Sequence, residues 1–406
     1  MSQLMTLFSW PKEIFFGNNA SEEIGRYIAK EKSLHRVLIV TDEGVVKNNL
    51  LDQIKESLNA AVVDYEIYDE VKQDAPDDSI MEALEQFNKA KADLLIAVGG
   101  GSAIDTAKAA GILHANGGKI QDYEGIDKVQ ENLPAFYAVP TTAGCGSEAS
   151  QFCICLDAKK KIKIGIFSRR VIPQRVFIDP LLTLSMPPEL TAGCGIDALN
   201  NSIESFFSTW ASPITDALSL HAIRLISENL RATVANGKNV DARKNMAVAA
   251  LEAGLAFTNA QCGAVQALGQ SLTGAFQIPQ RVSNGILLPH VMRHNLNTNM
   301  DRMIEVAKAL GEQVNGLSKR EAAEKAISAV KWLLVDIGLP KTLGEVGVTK
   351  EAISALSQQA SKNTFLRTNP ASLTQREISK IYENAFLEYE EPFPAPNATP
   401  AGTVYH

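Results

Sequence analysis

Five polar residues in the C-terminal half of the chain stand where a ligand cluster could form. Asp197 and Asn201 lie four apart in GIDALNNSIES, Gln266 and Gln270 lie four apart in GAVQALGQSLTG, and Gln280 follows in QIPQRV. Residues four apart share one face of a helix, so each pair can point into a common pocket. Iron or zinc would take imidazole at most such places. This chain offers one carboxylate and primary amides instead, a hard and weakly charged set better suited to Ca²⁺ or Mg²⁺. A pocket without iron or zinc is therefore expected, with an oxygen-ligated hard cation as the alternative. Amides both donate and accept, so such a pocket can hold a polar oxygen by hydrogen bonds, as an oxyanion hole does. The six histidines do not replace the missing ligands: His290 and His294 have ligand spacing, but two imidazoles complete no usual set.

A second chemical feature lies in the N-terminal half. DLLIAVGGGSAIDTAKAA reads as a buried strand, a turn made of Gly99, Gly100, Gly101 and Ser102, and a helix. Glycines admit a ligand close to the backbone, and a helix N-terminus presents free N–H groups to an anion. The turn is expected to bind a pyrophosphate, the alternative being a plain strand-to-helix turn. It is not the GxGxxG fingerprint, so a standard Rossmann assignment does not follow. PTTAGCGSEAS brings Thr141, Thr142 and Ser147 together after another strand; it reads equally as a nucleotide-lining loop or an ordinary polar loop. Asp42 ends the strand RVLIVTD. It could accept from a ribose diol and repel a 2′-phosphate, favouring NAD(H), or it could cap the next helix.

These features need elements to carry them. In the first half, short apolar runs at residues 36–41, 61–67, 93–98 and 136–140 alternate with helical stretches, including residues 77–92 after an aspartate cap. That alternation predicts a parallel sheet covered by helices on both faces. From about Pro187 onward the apolar period is helical. The expectation is an α/β dinucleotide-binding domain over residues 1–184 and an all-α domain over residues 185–406 that carries the polar cluster. The tail EEPFPAPNATPAGTVYH is expected to be an extended or loosely packed arm.

With 406 residues, a net charge of −7 and 45% apolar residues, the composition is that of a globular protein. No basic run marks a nucleic-acid or membrane partner. The N-terminus lacks the layout of a signal peptide, and no stretch is long and apolar enough to span a bilayer. The five cysteines Cys145, Cys153, Cys155, Cys194 and Cys262 form no CxxC. Reduced thiols in a cytoplasmic protein are expected, with burial as small hydrophobes their default role.

VGGGSAIDTAKA, PTTAGCGSEAS, GIDALNNSIES and GAVQALGQSLTGAFQIPQRVSNGILLPHV, in this order, resemble the iron-containing (group III) alcohol dehydrogenases. The resemblance runs from about residue 15 to residue 382. It implies a dehydroquinate synthase-like fold with cofactor and metal between the two domains, an NAD(H)-dependent oxidoreductase acting on a small alcohol or carbonyl, and a homo-oligomer. Gly99 to Ser102 match the family's pyrophosphate loop, with Asp105 on the helix behind it. Thr141, Thr142 and Ser147 match the nucleotide loop, Lys163 a lysine near the cofactor, and Asp42 the acid that accompanies NAD preference. At the metal positions the match breaks. Where the family has Asp-x-x-x-His, His-x-x-x-His and Pro-His-Gly, this chain has Asp197 and Asn201, Gln266 and Gln270, then Pro279, Gln280 and Arg281. The resemblance thus implies an oxidoreductase whose vestigial iron site has lost every imidazole, the alternatives being a metal-dependent alcohol dehydrogenase with an altered ligand set and a non-catalytic NAD-binding scaffold. The amides of that site, with water, would steady the charge on an activated carbonyl. Proton delivery falls to water, a substrate hydroxyl or a cysteine, with Cys145 nearest by motif position and Cys262 four residues before Gln266. Arg281 could pair with a substrate anion or be an ordinary structural arginine.

Overall fold

The apolar runs around residues 38 and 96 form neighbouring strands of a parallel sheet, and their side chains alternate between two cores. In a computed structural model of the chain, which describes residues 7–387, nine strands form. They are β1 Glu13–Phe16, β2 Arg36–Val40, β3 Asp64–Tyr68, β4 Leu94–Gly99, β5 Gly125–Ile126, β6 Ala135–Pro140, β7 Phe152–Asp157, β8 Ile162–Phe167 and β9 Arg175–Ile178. The main sheet has the order β1-β9-β6-β4-β2-β3 and is parallel throughout. Val37 and Ile39 of β2 and Leu94 and Ile96 of β4 face one core, while Leu38, Val40, Leu95 and Ala97 face the other. Full burial of such a Val, Leu or Ile contributes about 1.5–3 kcal/mol.

Helices α1 Ile24–Ile28 and α3 Asp52–Ala60 cover the first face. Helices α4 Asp77–Ala90 and α5 Gly101–Asn116 cover the second, and α2 Glu43–Lys47 follows β2. Because β3 lies on one side of β2 and β4 on the other, the chain reverses direction across the sheet there. Ligands of open α/β sheets bind at such a reversal, outside the carboxyl ends of the strands. Asp42, the glycine turn and Thr141 all follow strands that end at this point.

The local expectations need three adjustments. Residues 61–63 are not strand: Val62 has φ of 56° and Val63 N donates to Leu58 O, so the end of α3 takes these residues into its C-terminal turn. The helix from Asp77 is preceded by Pro76 rather than an aspartate cap, and it stops at Ala90 because Lys91 turns left-handed. A second, smaller sheet, β5-β8-β7, is interleaved in sequence with the first, with β7 and β8 antiparallel.

The second half is helical: α6 Pro188–Phe207, α7 Pro213–Ala235, α8 Val240–Ala260, α9 Ala264–Phe276, α10 Gln280–Asn295, α11 Met300–Ala309, α12 Lys319–Asp336, α13 Ile353–Ala360 and α14 Gln375–Asn384. The expected boundary after residue 184 falls between the last strand, ending at Ile178, and the start of α6. Helix α6 is buried over most of its surface, packed on α7, α8 and α10, so each polar group on it must find a partner. No described helix is long and apolar enough to cross a membrane. The proline-rich tail lies outside the described residues.

Candidate functional site between the two domains

A cleft of about 460 Å³ runs between the sheet's carboxyl edge and the helical domain. It is lined by Asp42, Gly100, Gly101, Ser102, Asp105, Thr141, Thr142, Cys145, Ser147 and Lys163 on one side and by Asp197, Asn201, Gln266, Gln270, Gln280 and Arg281 on the other. The residues singled out in the two halves of the sequence therefore meet in one place. Phe152, Phe257 and Phe365 form an apolar wall, with Phe152 and Phe257 stacked at 5.1 Å.

On the sheet side, Gly99 has φ of +155°, and a Cβ there would stand 2.7 Å from Ala103 Cβ. A Cβ at Gly101 would stand 2.9 Å from Cys145 Sγ. The turn thus exposes backbone that no side chain covers, at the N-terminus of the 16-residue helix α5. This arrangement fits a pyrophosphate. Ser102 Oγ accepts from Asp74 N at 3.0 Å. Asp42 keeps both of its readings: it caps α2 by accepting from Val45 N at 3.1 Å, and it lines the cleft.

Three buried charges escaped the sequence reading. Lys108 on α5 donates to the carbonyl oxygens of Ser147 at 2.7 Å, Ser150 at 2.9 Å and Phe152 at 2.7 Å. It thereby clamps the end of the PTTAGCGSEAS loop to α5, and burial lowers its pKa. Asp105, 4.0 Å from Lys108, accepts from Ile154 N, and burial pushes its carboxyl up to about 6. It ties α5 to β7 as well as lining the cleft. Glu148 in the same loop is pushed up to about 7 by burial. Glu204 is the third. It projects from α6 to accept from Val265 N at 2.6 Å and Gln266 N at 3.2 Å, satisfying the first turn of α9. This contact sets Gln266 against α6. The sequence held one signal for Lys108, since α5 carries almost no other charged residue; the partners of Glu148 and Glu204 had no local signal.

The amides of the helical side form a chain. Lys163 Nζ, on β8, donates to Gln280 Oε1 at 3.1 Å; Gln280 Nε2 donates to Gln266 Oε1 at 2.5 Å; Gln266 Nε2 donates to Asn201 Oδ1 at 2.7 Å. Cys262 Sγ closes the far end on the same Asn201 oxygen at 3.7 Å. Lys163 is also paired with Asp74 at 2.9 Å. Asp197 stands apart, held by Asn284 Nδ2 at 2.9 Å, and burial raises its carboxyl above the usual range. Gln270 is outside the chain, bonded to Asn363 at 2.7 Å.

Two expectations shift with this geometry. Cys145 lies against the glycine turn, on the cofactor side, and burial raises its thiol; the thiol that touches the amide chain is Cys262, also raised by burial. Lys163 bridges the two walls of the cleft rather than belonging to the nucleotide side alone. No His lines the cleft among the described residues.

The donor set does not fit iron or zinc. Three amide oxygens already accept hydrogen bonds from their neighbours, and turning them onto a cation would break the chain. The one carboxylate is half-buried and engaged by Asn284. Among the described residues no three His, Cys, Asp or Glu converge as a metal group.

Comparison with known proteins places this geometry. Residues 11–180 match the family model for iron-containing alcohol dehydrogenase, and residues 191–386 match that for the C-terminal part of the Fe-containing alcohol dehydrogenase family. The 1,3-propanediol dehydrogenase of Citrobacter freundii is 39% identical over 95% of this chain and 100% of its own length. The NAD-dependent methanol dehydrogenase of Bacillus methanolicus is 34% identical over 94% of this chain and 100% of its own. A crystal structure of 1,3-propanediol oxidoreductase superposes with a TM-score of 0.92 at 38% identity, covering 94% of this chain and 100% of the other. The two-domain architecture, the cleft at the sheet's carboxyl edge and these matches along nearly the whole length agree: the chain belongs to the iron-containing alcohol dehydrogenase family.

Proposed function

We propose that the cleft binds NAD(H) and interconverts a small alcohol and its carbonyl by hydride transfer, with no bound iron or zinc. The observation that carries this reading is the polarity of the amide chain. An ammonium has only donors, so Lys163 fixes Gln280 Oε1 as an acceptor. Gln280 must then offer its N–H to Gln266, and Gln266 its own to Asn201. Each oxygen accepts within the chain, while the second N–H of each Gln and both of those on Asn201 stay available to a ligand. Such a surface can meet an oxygen gaining negative charge with several N–H donors.

Bound NADH supplies a hydride to the carbonyl carbon. As that carbon is reduced, the π pair moves to the oxygen, the amide N–H groups of Asn201, Gln266 and Gln280 stabilise it, and a proton from water completes the alcohol. This stabilisation takes the place of Lewis-acid polarisation. Gly99 to Ser102 and the start of α5 would hold the pyrophosphate, Thr141, Thr142 and Ser147 would line the nucleotide, and Asp42 would accept from the ribose. The NAD dependence stated for the Bacillus methanolicus relative supports NAD(H). All five cysteines are free, which supports a reducing cytoplasmic setting.

Metal analysis of the purified protein, paired with NADH carrying deuterium at C4, tests the proposal. The expected result is far less than one iron or zinc per chain, with deuterium transferred to product in the presence of a chelator. Stoichiometric iron or zinc would overturn the metal-free mechanism, and failure to transfer the label to any small aldehyde or ketone would overturn the oxidoreductase assignment.

A further inference from the structure

We propose that the carbonyl substrate carries an anionic group (carboxylate, sulfonate or phosphonate) a few bonds from its carbonyl carbon, and that Arg281 holds it. The inference rests on the hydride-transfer reading above and names its substrate class. Arg281 is the second residue of α10, directly after Gln280, and lines the cleft. Its stem lies across Gly193 of α6: a Cβ there would stand 2.6 Å from Arg281 Cδ and 3.1 Å from Nε. Gly193 is one turn before Asp197, so the stem runs along the Asp197 face of α6 at the cleft.

That guanidinium makes no hydrogen bond or ion pair among the described residues. The other cation of the cleft, Lys163, is matched by Asp74. Arginines elsewhere in the interior are matched as well: Arg243 bonds Met186 O, Gly237 O and Thr191 Oγ1, and Arg175 bonds Glu13 and Glu31. Asp197 feels the Arg281 charge but makes no ion pair with it, its carboxylate accepting from Asn284. Five N–H donors in a planar fork are thus held at the edge of a donor-lined pocket, and their complement is a planar or tetrahedral oxyanion. Gln280 and Arg281 both line the cleft, so one short molecule can place its carbonyl oxygen on the amides and its anion on the arginine. A neutral aldehyde would use the first contact only.

The test compares glyoxylate, sulfoacetaldehyde and succinic semialdehyde with acetaldehyde, propanal and butanal in NADH-dependent reduction. In parallel it measures binding of 2-hydroxyethanesulfonate against propan-1-ol to the enzyme–NAD⁺ complex. A charge-assisted contact of this kind predicts a preference of about 10- to 100-fold for the anionic member in kcat/KM and in binding. In Arg281→Gln the preference should collapse through KM, and Arg281→Lys should keep part of it. Equal use of charged and neutral aldehydes by the unaltered enzyme overturns the inference and leaves the hydride-transfer reading standing. So does an Arg281→Gln effect confined to NADH affinity, which would assign the arginine to the cofactor. Arg281-dependent binding of 2-hydroxyethanesulfonate without reduction of any aldehyde supports the anion site and removes the hydride-transfer reading.

Discussion

Lys108 lies buried behind one wall of the cleft and Lys163 lines it, and the two use their ammonium groups differently. Lys108 is fully buried and spends its donors on three backbone carbonyls. Lys163 keeps 7% of its side chain exposed and bonds one side-chain amide and one carboxylate. A cation saturated by backbone fixes the shape of a loop. A cation at the end of a row of side-chain amides fixes which way each amide faces. The first wall is therefore a matter of form and the second a matter of direction, each depending on its own lysine.

Replacing each lysine should separate these roles. Lys108→Met leaves three buried carbonyls and Asp105 without their cation, and should cost about 3–5 kcal/mol of stability in urea unfolding. A loss under about 1 kcal/mol, within the range of an ordinary surface change, would mean that the clamp does not hold the loop. Lys163→Met frees the Gln280 amide to turn over. It should lower kcat by roughly 10- to 100-fold, the range of a lost charged hydrogen bond, with a smaller change in NADH affinity. If NADH affinity falls more than kcat, Lys163 belongs to the cofactor wall and the contrast between the two lysines disappears.

The smallest expected effect concerns Glu204, which holds Gln266 in place. Burial pushes its carboxyl up to about 7 from an ordinary value of 4.5. The folded chain therefore binds this proton more tightly than the unfolded chain, and the stability it contributes is full below 4.5 and is lost as pH rises through about 7. Unfolding free energy should fall by roughly 1–3 kcal/mol between about pH 5 and pH 8. The slope should be shallower in Glu204→Gln but not flat, because Glu148 titrates over the same range. An unchanged slope in that variant would show that Glu204 carries its charge in the fold at no cost.

Much of this architecture was legible in the chain, and the pattern of misses is physical. Strands β2, β4 and β6 are short apolar runs next to turns, and α6 to α8 have an apolar period, so local sequence marks them. The hairpin of β7 and β8 is local, FCICLD and IKIGIF being joined by a four-residue lysine-rich turn, and it was within reach of the sequence. Lys108 reaches a carbonyl 39 residues away, and Glu204 a backbone N–H 61 residues away. Such partners leave no trace in a local window. The amides themselves were visible; their order was not, because the donor that orients them lies on a strand 117 residues before Gln280.

Asp42 carries a consequence for how this protein can change. One of its carboxylate oxygens caps α2, and the other would stand 3.3 Å from a Cβ placed on Gly99 of the phosphate turn. Admitting a cofactor with a bulkier, more negative ribose would call for removal of this carboxylate. The same substitution would unpin the start of the helix beside the turn, at about 1 kcal/mol for a lost cap. On the ribose contact proposed for Asp42, cofactor choice and local folding share one side chain, and a change of the first would call for repair of the second.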